Sequence, residues 1–170
     1  MFIVLFRHGP AGRRDASRWP DDEERPLTPR GEARTLAAAR GLRRLVPRGA
    51  HVATSPLVRA EQTARLIEGV IQPARLEVLE ALAPGGSYRN VVEWLGGLGS
   101  DETLVLVGHE PDLGRLAGVL LFGAPRALPL KKAGGCGIEF VGDPTPGEGV
   151  LKWFLPPRAL RELAGKKRKA

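Results

Sequence analysis

Short apolar runs alternate with amphipathic stretches along this chain. Phe2–Phe6 is a continuous apolar run of strand length, the pattern of a strand covered on both faces. Polar Pro10–Pro26 follows and reads as a mobile surface loop. Thr28-Pro29 then predicts a helix start, with Thr28 as N-cap and Pro29 at the first helical position. Ala33, Leu36, Ala37, Leu42 and Leu45 recur near helical spacing behind it. His51–Thr54 fits a second short strand. Ser55-Pro56 repeats the cap-and-proline signal and opens a helix to about Gly69. Leu76–Leu79 fits an edge strand, Tyr88–Leu98 a helix, and Thr103–Val107 a buried strand rich in β-branched residues. Pro111 opens a helix to about Phe122. Ile138–Val141 and Val150–Leu155, separated by turn-rich Gly142–Gly149, fit an antiparallel pair.

This alternation predicts an α/β fold, a single-domain three-layer sandwich. Its central sheet is mainly parallel with helices on both faces, and its C-terminal strands are antiparallel. No repeat or linker divides the chain, so residues 1–160 form the domain and 161–170 a basic tail. No apolar run approaches the roughly 18 residues of a membrane span. Met1–Phe6 lacks a preceding basic region and a following small-residue cleavage site, so it is expected to be a strand and not a signal peptide. A cytoplasmic location is the expectation. The one cysteine, Cys136, fits a small core residue.

Charge adds a hint about the ligand. The net charge is +7, and Lys166, Lys167, Arg168 and Lys169 carry +4 of it, leaving +3 on the body. No aromatic residues interleave with that tail, so it reads as a solvated terminus and no nucleic-acid partner is expected. A mildly basic body suits an anionic substrate. Amide side chains are confined to Asn90, Gln62 and Gln72, which fits a thermophile.

In parallel sheets ligands bind beyond the carboxyl ends of the strands. Three such ends carry unusual residues here: Arg7-His8-Gly9, Thr54-Ser55 with Arg59 one helical turn further on, and Gly108-His109-Glu110. If those strands are neighbours, two arginines, two histidines and two helix N-termini converge on one anion pocket. Each of those histidines has a glycine beside it, which permits close backbone approach. His51 starts a strand instead and reads as structural.

These residues resemble a known family. Arg7-His8-Gly9 looks like the signature of the histidine phosphatase superfamily, which includes the cofactor-dependent phosphoglycerate mutases. Pro26-Leu27-Thr28-Pro29-Arg30-Gly31-Glu32-Ala33, then Ser55-Pro56-Leu57-Val58-Arg59-Ala60-Glu61-Gln62-Thr63-Ala64, then Val107-Gly108-His109-Glu110-Pro111 resemble its later blocks, in the right order. Glu80-Ala81-Leu82-Ala83-Pro84-Gly85-Gly86 resembles a block of the SixA-type phosphohistidine phosphatases. Larger relatives insert a helical cap before the strand bearing the second histidine. Only about thirty residues, 71–102, fill that position here.

The resemblance implies a phosphohydrolase with His8 as nucleophile, forming a phosphohistidine intermediate that water hydrolyses. It implies phosphate binding by Arg7, His8, Ser55, Arg59 and, if protonated, His109, and it offers Glu80 as proton donor. Glu110 and Asp112 are alternatives to Glu80. No metal and no cofactor is expected, because the arginines supply the positive charge. The favoured substrate is phosphohistidine on a signalling protein of the histidine phosphotransfer type. The alternatives are a small-metabolite phosphomonoesterase and, from a different class, a phosphate-binding module without catalysis.

Overall fold

The computed structural model describes residues 1–47 and 49–165. Its six strands are β1 (Phe2–Arg7), β2 (His51–Thr54), β3 (Arg75–Val78), β4 (Thr103–Gly108), β5 (Gly135–Glu139) and β6 (Val150–Leu155). They form one sheet in the order β3-β2-β4-β1-β5-β6. The first four are parallel, and β5 and β6 run antiparallel. The helices are α1 (Pro29–Leu42), α2 (Val58–Ile71), α3 (Tyr88–Gly96), α4 (Asp112–Phe122) and α5 (Pro157–Gly165).

Side-chain alternation along the strands assigns the two faces. Ile3, Leu5, Leu104, Leu106, Cys136 and Ile138 point to one side and pack with Val91 and Leu95 of α3 and with Leu113, Leu116 and Leu120 of α4. Val4, Phe6, Val52, Val105 and Val107 point to the other and meet Ala38, Ala39 and Leu42 of α1, Ala60 and Ile67 of α2, and Leu160 of α5. The three-layer sandwich is therefore as expected. The Cys136 thiol is fully buried, and burial pushes its pKa up to about 12.

Several local expectations are corrected. Ser55 does not cap α2, which begins at Val58 after Leu57. Its hydroxyl does accept from Leu57 N–H at 3.3 Å, but it also turns into the site. Along α1 the buried stripe is Gly31, Thr35, Ala38, Ala39 and Leu42, and Ala33 is exposed. Small residues prevail there because backbone comes close on that face: the Leu160 carbonyl of α5 meets the position a Cβ would take on Gly41. Strand β5 starts three residues earlier than Ile138, through Gly135-Cys136-Gly137, whose glycines hide the strand signal. The boundary at 160/161 falls inside α5, which the basic composition concealed, and Lys166–Lys169 lie outside the described residues. No described helix is long and apolar enough to cross a membrane.

Candidate active site

The strands bearing the three unusual ends, β2, β4 and β1, are consecutive in the sheet. Arg7 is level with Gly108, and Thr54 with Val107. The ladder continues past the strand ends, where His8 N–H donates to the Gly108 carbonyl at 3.0 Å and Ser55 N–H to the Val107 carbonyl at 2.9 Å. Parallel pairing thus sets Arg7-His8, Ser55 and His109 side by side.

His8 is held by its own neighbour. Its Nδ1 lies 2.7 Å from the Gly9 carbonyl, the geometry of a donated hydrogen bond, which leaves Nε2 with its lone pair. Gly9 is itself fixed, because its N–H donates to Thr63 Oγ1 at 3.0 Å and that hydroxyl donates to the Arg59 carbonyl at 2.8 Å. A Cβ on Gly9 would collide with the Thr35 side chain, so glycine is required at this close approach.

The His8 and His109 rings lie 4.9 Å apart between centroids, tilted by 49°. Ser55 Oγ and His109 Nε2 share a 2.8 Å hydrogen bond. Burial lowers the His8 pKa to about 3, with His109, Arg59 and Arg7 adding repulsion. Burial, then Arg59 and Arg7, lowers that of His109 to about 3 as well. At these values both imidazoles are neutral near pH 7, and each retains one N–H to donate.

Two arginines complete the pocket. Arg7 donates from Nη1 to the Leu130 carbonyl at 2.8 Å, and Arg59 from Nη1 to the Asp22 carbonyl at 2.7 Å. Backbone carbonyls thus fix both guanidinium planes. The Nε–H of each is buried and bonds no described group. Burial lowers the pKa of both, but a guanidinium stays charged in a protein.

The candidate proton donors separate. Glu110 Oε1 accepts from Leu130 N–H at 3.0 Å, and burial raises its pKa. Asp112 Oδ2 accepts from Gly85 N–H at 2.9 Å, pinning the loop that follows Glu80. Glu80 opens a short 3-10 turn, Glu80–Leu82, that packs over the end of β4, and its side chain is exposed. Among the described residues, no three His, Cys, Asp or Glu side chains converge as a metal site would need.

The sequence reads Pro10–Pro26 as a mobile surface loop. Instead it is anchored. Gly12 N–H donates to the Pro26 carbonyl at 3.2 Å and Thr28 N–H to the Pro10 carbonyl at 3.1 Å. It carries the buried Arg25 and the Asp22 that meets Arg59. One available signal was Arg25 standing immediately before the Pro26-Leu27-Thr28-Pro29 block.

Known proteins share this arrangement of elements. The family model of the histidine phosphatase superfamily (branch 1) matches residues 3–84. An uncharacterized protein of Picosynechococcus is 40% identical over 92% of this chain and 100% of its own. The phosphohistidine phosphatase SixA of Escherichia coli is 29% identical over 95% of this chain and 97% of its own. The structure of the protein histidine phosphatase SixA complexed with tungstate superposes with a TM-score of 0.80 at 28% identity, covering 94% of this chain and 99% of that one. These likenesses support a hydrolase with phosphatase activity. With the matched blocks in order and the sheet bringing their residues to one edge, this chain belongs to the histidine phosphatase superfamily.

Proposed function

We propose that this protein removes phosphoryl groups through His8, and that phosphohistidine on a signalling protein is its favoured substrate. The observation that carries the reading is a neutral His8 with Nδ1 tied to a backbone carbonyl, set between two arginines whose planes are fixed by other carbonyls. Such an Nε2 is a preoriented nucleophile.

In the first step His8 Nε2 bonds to phosphorus as the bond to the leaving group breaks. The leaving atom takes that electron pair and a proton. In the second step a water oxygen bonds to phosphorus, the P–N bond breaks, the lone pair returns to Nε2, and the water proton passes to the carboxylate that gave its proton in the first step or to solvent. Arg7 and Arg59 hold the equatorial oxygens as charge spreads over them, and His109 and Ser55 supply further donors. A bound phosphoryl dianion would also raise the affinity of His109 for a proton.

Glu80 is the proposed donor to an ester leaving group. Among the three carboxylates, those of Glu110 and Asp112 hold backbone N–H groups, whereas that of Glu80 makes no hydrogen bond among the described residues. A phosphohistidine leaves as imidazole and needs less acid help than an alkoxide. Only α3 and one short turn occupy the stretch between β3 and β4, so no large cap covers the strand ends from that insertion. That geometry suits a phosphorylated side chain on another protein, as the name of the Escherichia coli relative also suggests.

The test is a turnover screen of phosphorylated histidine-containing proteins beside sugar, nucleotide and glycerate phosphates. The protein substrate is expected to show the highest kcat/KM. A metabolite turned over faster would transfer the reading to a phosphomonoesterase, and turnover of none would leave a binding module. Activity should persist in EDTA and be inhibited competitively by phosphate, vanadate or tungstate.

A further inference from the structure

Three arginines meet on the carboxylate of Asp22. Arg25 places Nε 2.8 Å from Oδ1 and Nη2 3.3 Å from Oδ2. Arg59 Nη2 lies 3.2 Å from Oδ2, and Arg14 Nε 3.6 Å from Oδ1. The partners differ in how firmly they are held. Arg25 is only 6% exposed and has a second anchor, Nη1 donating to the Gly12 carbonyl at 2.7 Å. Its charge stays in place when the carboxylate moves. The Asp22 side chain is 39% exposed and stands on a 3-10 turn of three residues, Asp22–Glu24, so it has room to leave.

Lys132 borders the same region. The next residue, Ala133, donates its N–H to the Arg7 and His8 carbonyls at 3.1 and 3.2 Å, which seats this segment at the rim of the pocket. Partial desolvation of its ammonium group, and then Arg7, Arg25, Arg59 and Arg14, press the Lys132 pKa down, although the residue is exposed. Arg7, Arg14, Arg25, Arg59 and Lys132 thus lie together at this end of the sheet, and Asp22 is the carboxylate that sits among three of the arginines.

We propose that Arg25, with Arg14 and Lys132, forms a second anion seat beside the phosphoryl pocket, taking a carboxylate that the substrate carries near its phosphoryl group. Asp22 holds the seat until that carboxylate displaces it. Arg59 links the two, because it touches Asp22 and lines the phosphoryl pocket. This rests on the phosphatase reading above and adds a substrate class to it: phosphorylated groups with an acidic neighbour.

The test compares phenyl phosphate with its 2-, 3- and 4-carboxy isomers in the wild type and in Asp22→Asn, Arg25→Gln and Lys132→Gln. The readout is the ratio of kcat/KM for each carboxylated ester to that of the plain ester. The carboxylate's effect on leaving-group acidity is common to all four enzymes, so the ratio is compared between enzymes. Asp22→Asn should raise it by about tenfold for at least one isomer, the worth of one charge-assisted hydrogen bond. Arg25→Gln should lower it, and Lys132→Gln should lower it by less. Lys132 is exposed, so its variant and Asp22→Asn carry the test if Arg25→Gln does not fold. Ratios unchanged in all variants would overturn the seat. Turnover by the wild type of neither these esters nor a phosphohistidine protein would instead remove the phosphatase reading. The Kd ratios for the matching phosphonates, read by calorimetry, then decide the seat without any turnover.

Discussion

The two ends of the sheet each bury histidine, in opposite surroundings. At the carboxyl ends of β1 and β4, His8 and His109 face one another among arginines. At the amino end of β2, His51 has Nε2 2.6 Å from Glu77 Oε1 and Nδ1 3.6 Å from Glu102 Oε2, with its ring edge-on to Trp94 at 5.4 Å. Both environments exclude water. Guanidinium groups around a buried imidazole repel the proton, whereas the carboxylates beside His51 serve as partners that tie β2 to its neighbours. A buried histidine among cations is kept neutral and so has a lone pair to offer, whereas one among carboxylates is suited to hold elements together. Burial alone does not separate the two roles.

The comparison breaks first on His8. His8→Ala should reduce turnover by at least about 10⁴-fold while circular dichroism and the melting transition stay near wild type. Acid-labile phosphate should appear transiently in wild-type enzyme quenched during turnover and be absent in the variant. His51→Gln should do the reverse, leaving turnover near wild type and lowering the melting temperature. Near-normal activity in His8→Ala would sink the nucleophile assignment.

Glu80→Gln comes next. It should slow an alkyl phosphate by about 10²–10⁴ and spare an aryl phosphate or a phosphohistidine protein. Equal slowing on all three would make Glu80 a positioning or folding residue. No slowing on any would pass the role to Glu110 or Asp112. Arg59→Gln and Arg7→Gln should each cost about 10²–10³ in rate, with matching losses in vanadate affinity. A loss of rate without loss of vanadate affinity would show that these arginines act elsewhere than on the phosphoryl oxygens.

The smallest effect is on pH dependence of stability. His8 and His109 have folded-state pKa values lowered to about 3, below the unfolded value of about 6.5. Above pH 6.5 both states hold them neutral. As pH falls from 6.5 toward 3 the unfolded chain takes up protons that the folded chain refuses, so stability drops. Urea titrations across that range should show the decline, and His8→Gln should make it shallower. An equally steep decline in that variant would mean other groups cause it.

Much of this was legible in the residues. The strand ends Arg7-His8 and Gly108-His109 stand out because charge and glycine interrupt apolar runs, and parallel order made their convergence foreseeable. The β5 start and α5 were not legible. Gly135 and Gly137 serve a strand by lying under neighbours such as Trp153, a close approach that no pattern of hydrophobicity encodes. Helix α5 buries one fully enclosed residue, Leu160, against α1, too faint a stripe among basic neighbours. Arg25 was hidden for a third reason. Its burial depends on a carboxylate and a carbonyl in the same loop, and partnership of that kind is fixed only once the loop has folded.

The edge strand β6 bears on how the protein behaves when concentrated. One side of a terminal strand offers unpaired backbone groups to any chain that approaches, and here Val150, Leu151 and Phe154 are exposed around them. Two features discourage such stacking. Lys152 stands in the middle of the strand, bonded to Glu139 at 2.9 Å, and an irregularity in the β5–β6 ladder at Gly137/Ile138 bends the ribbon. With an uncharged residue at 152 the same surface would become a template for strand addition. Resistance to strand addition at high concentration is the consequence expected of that lysine.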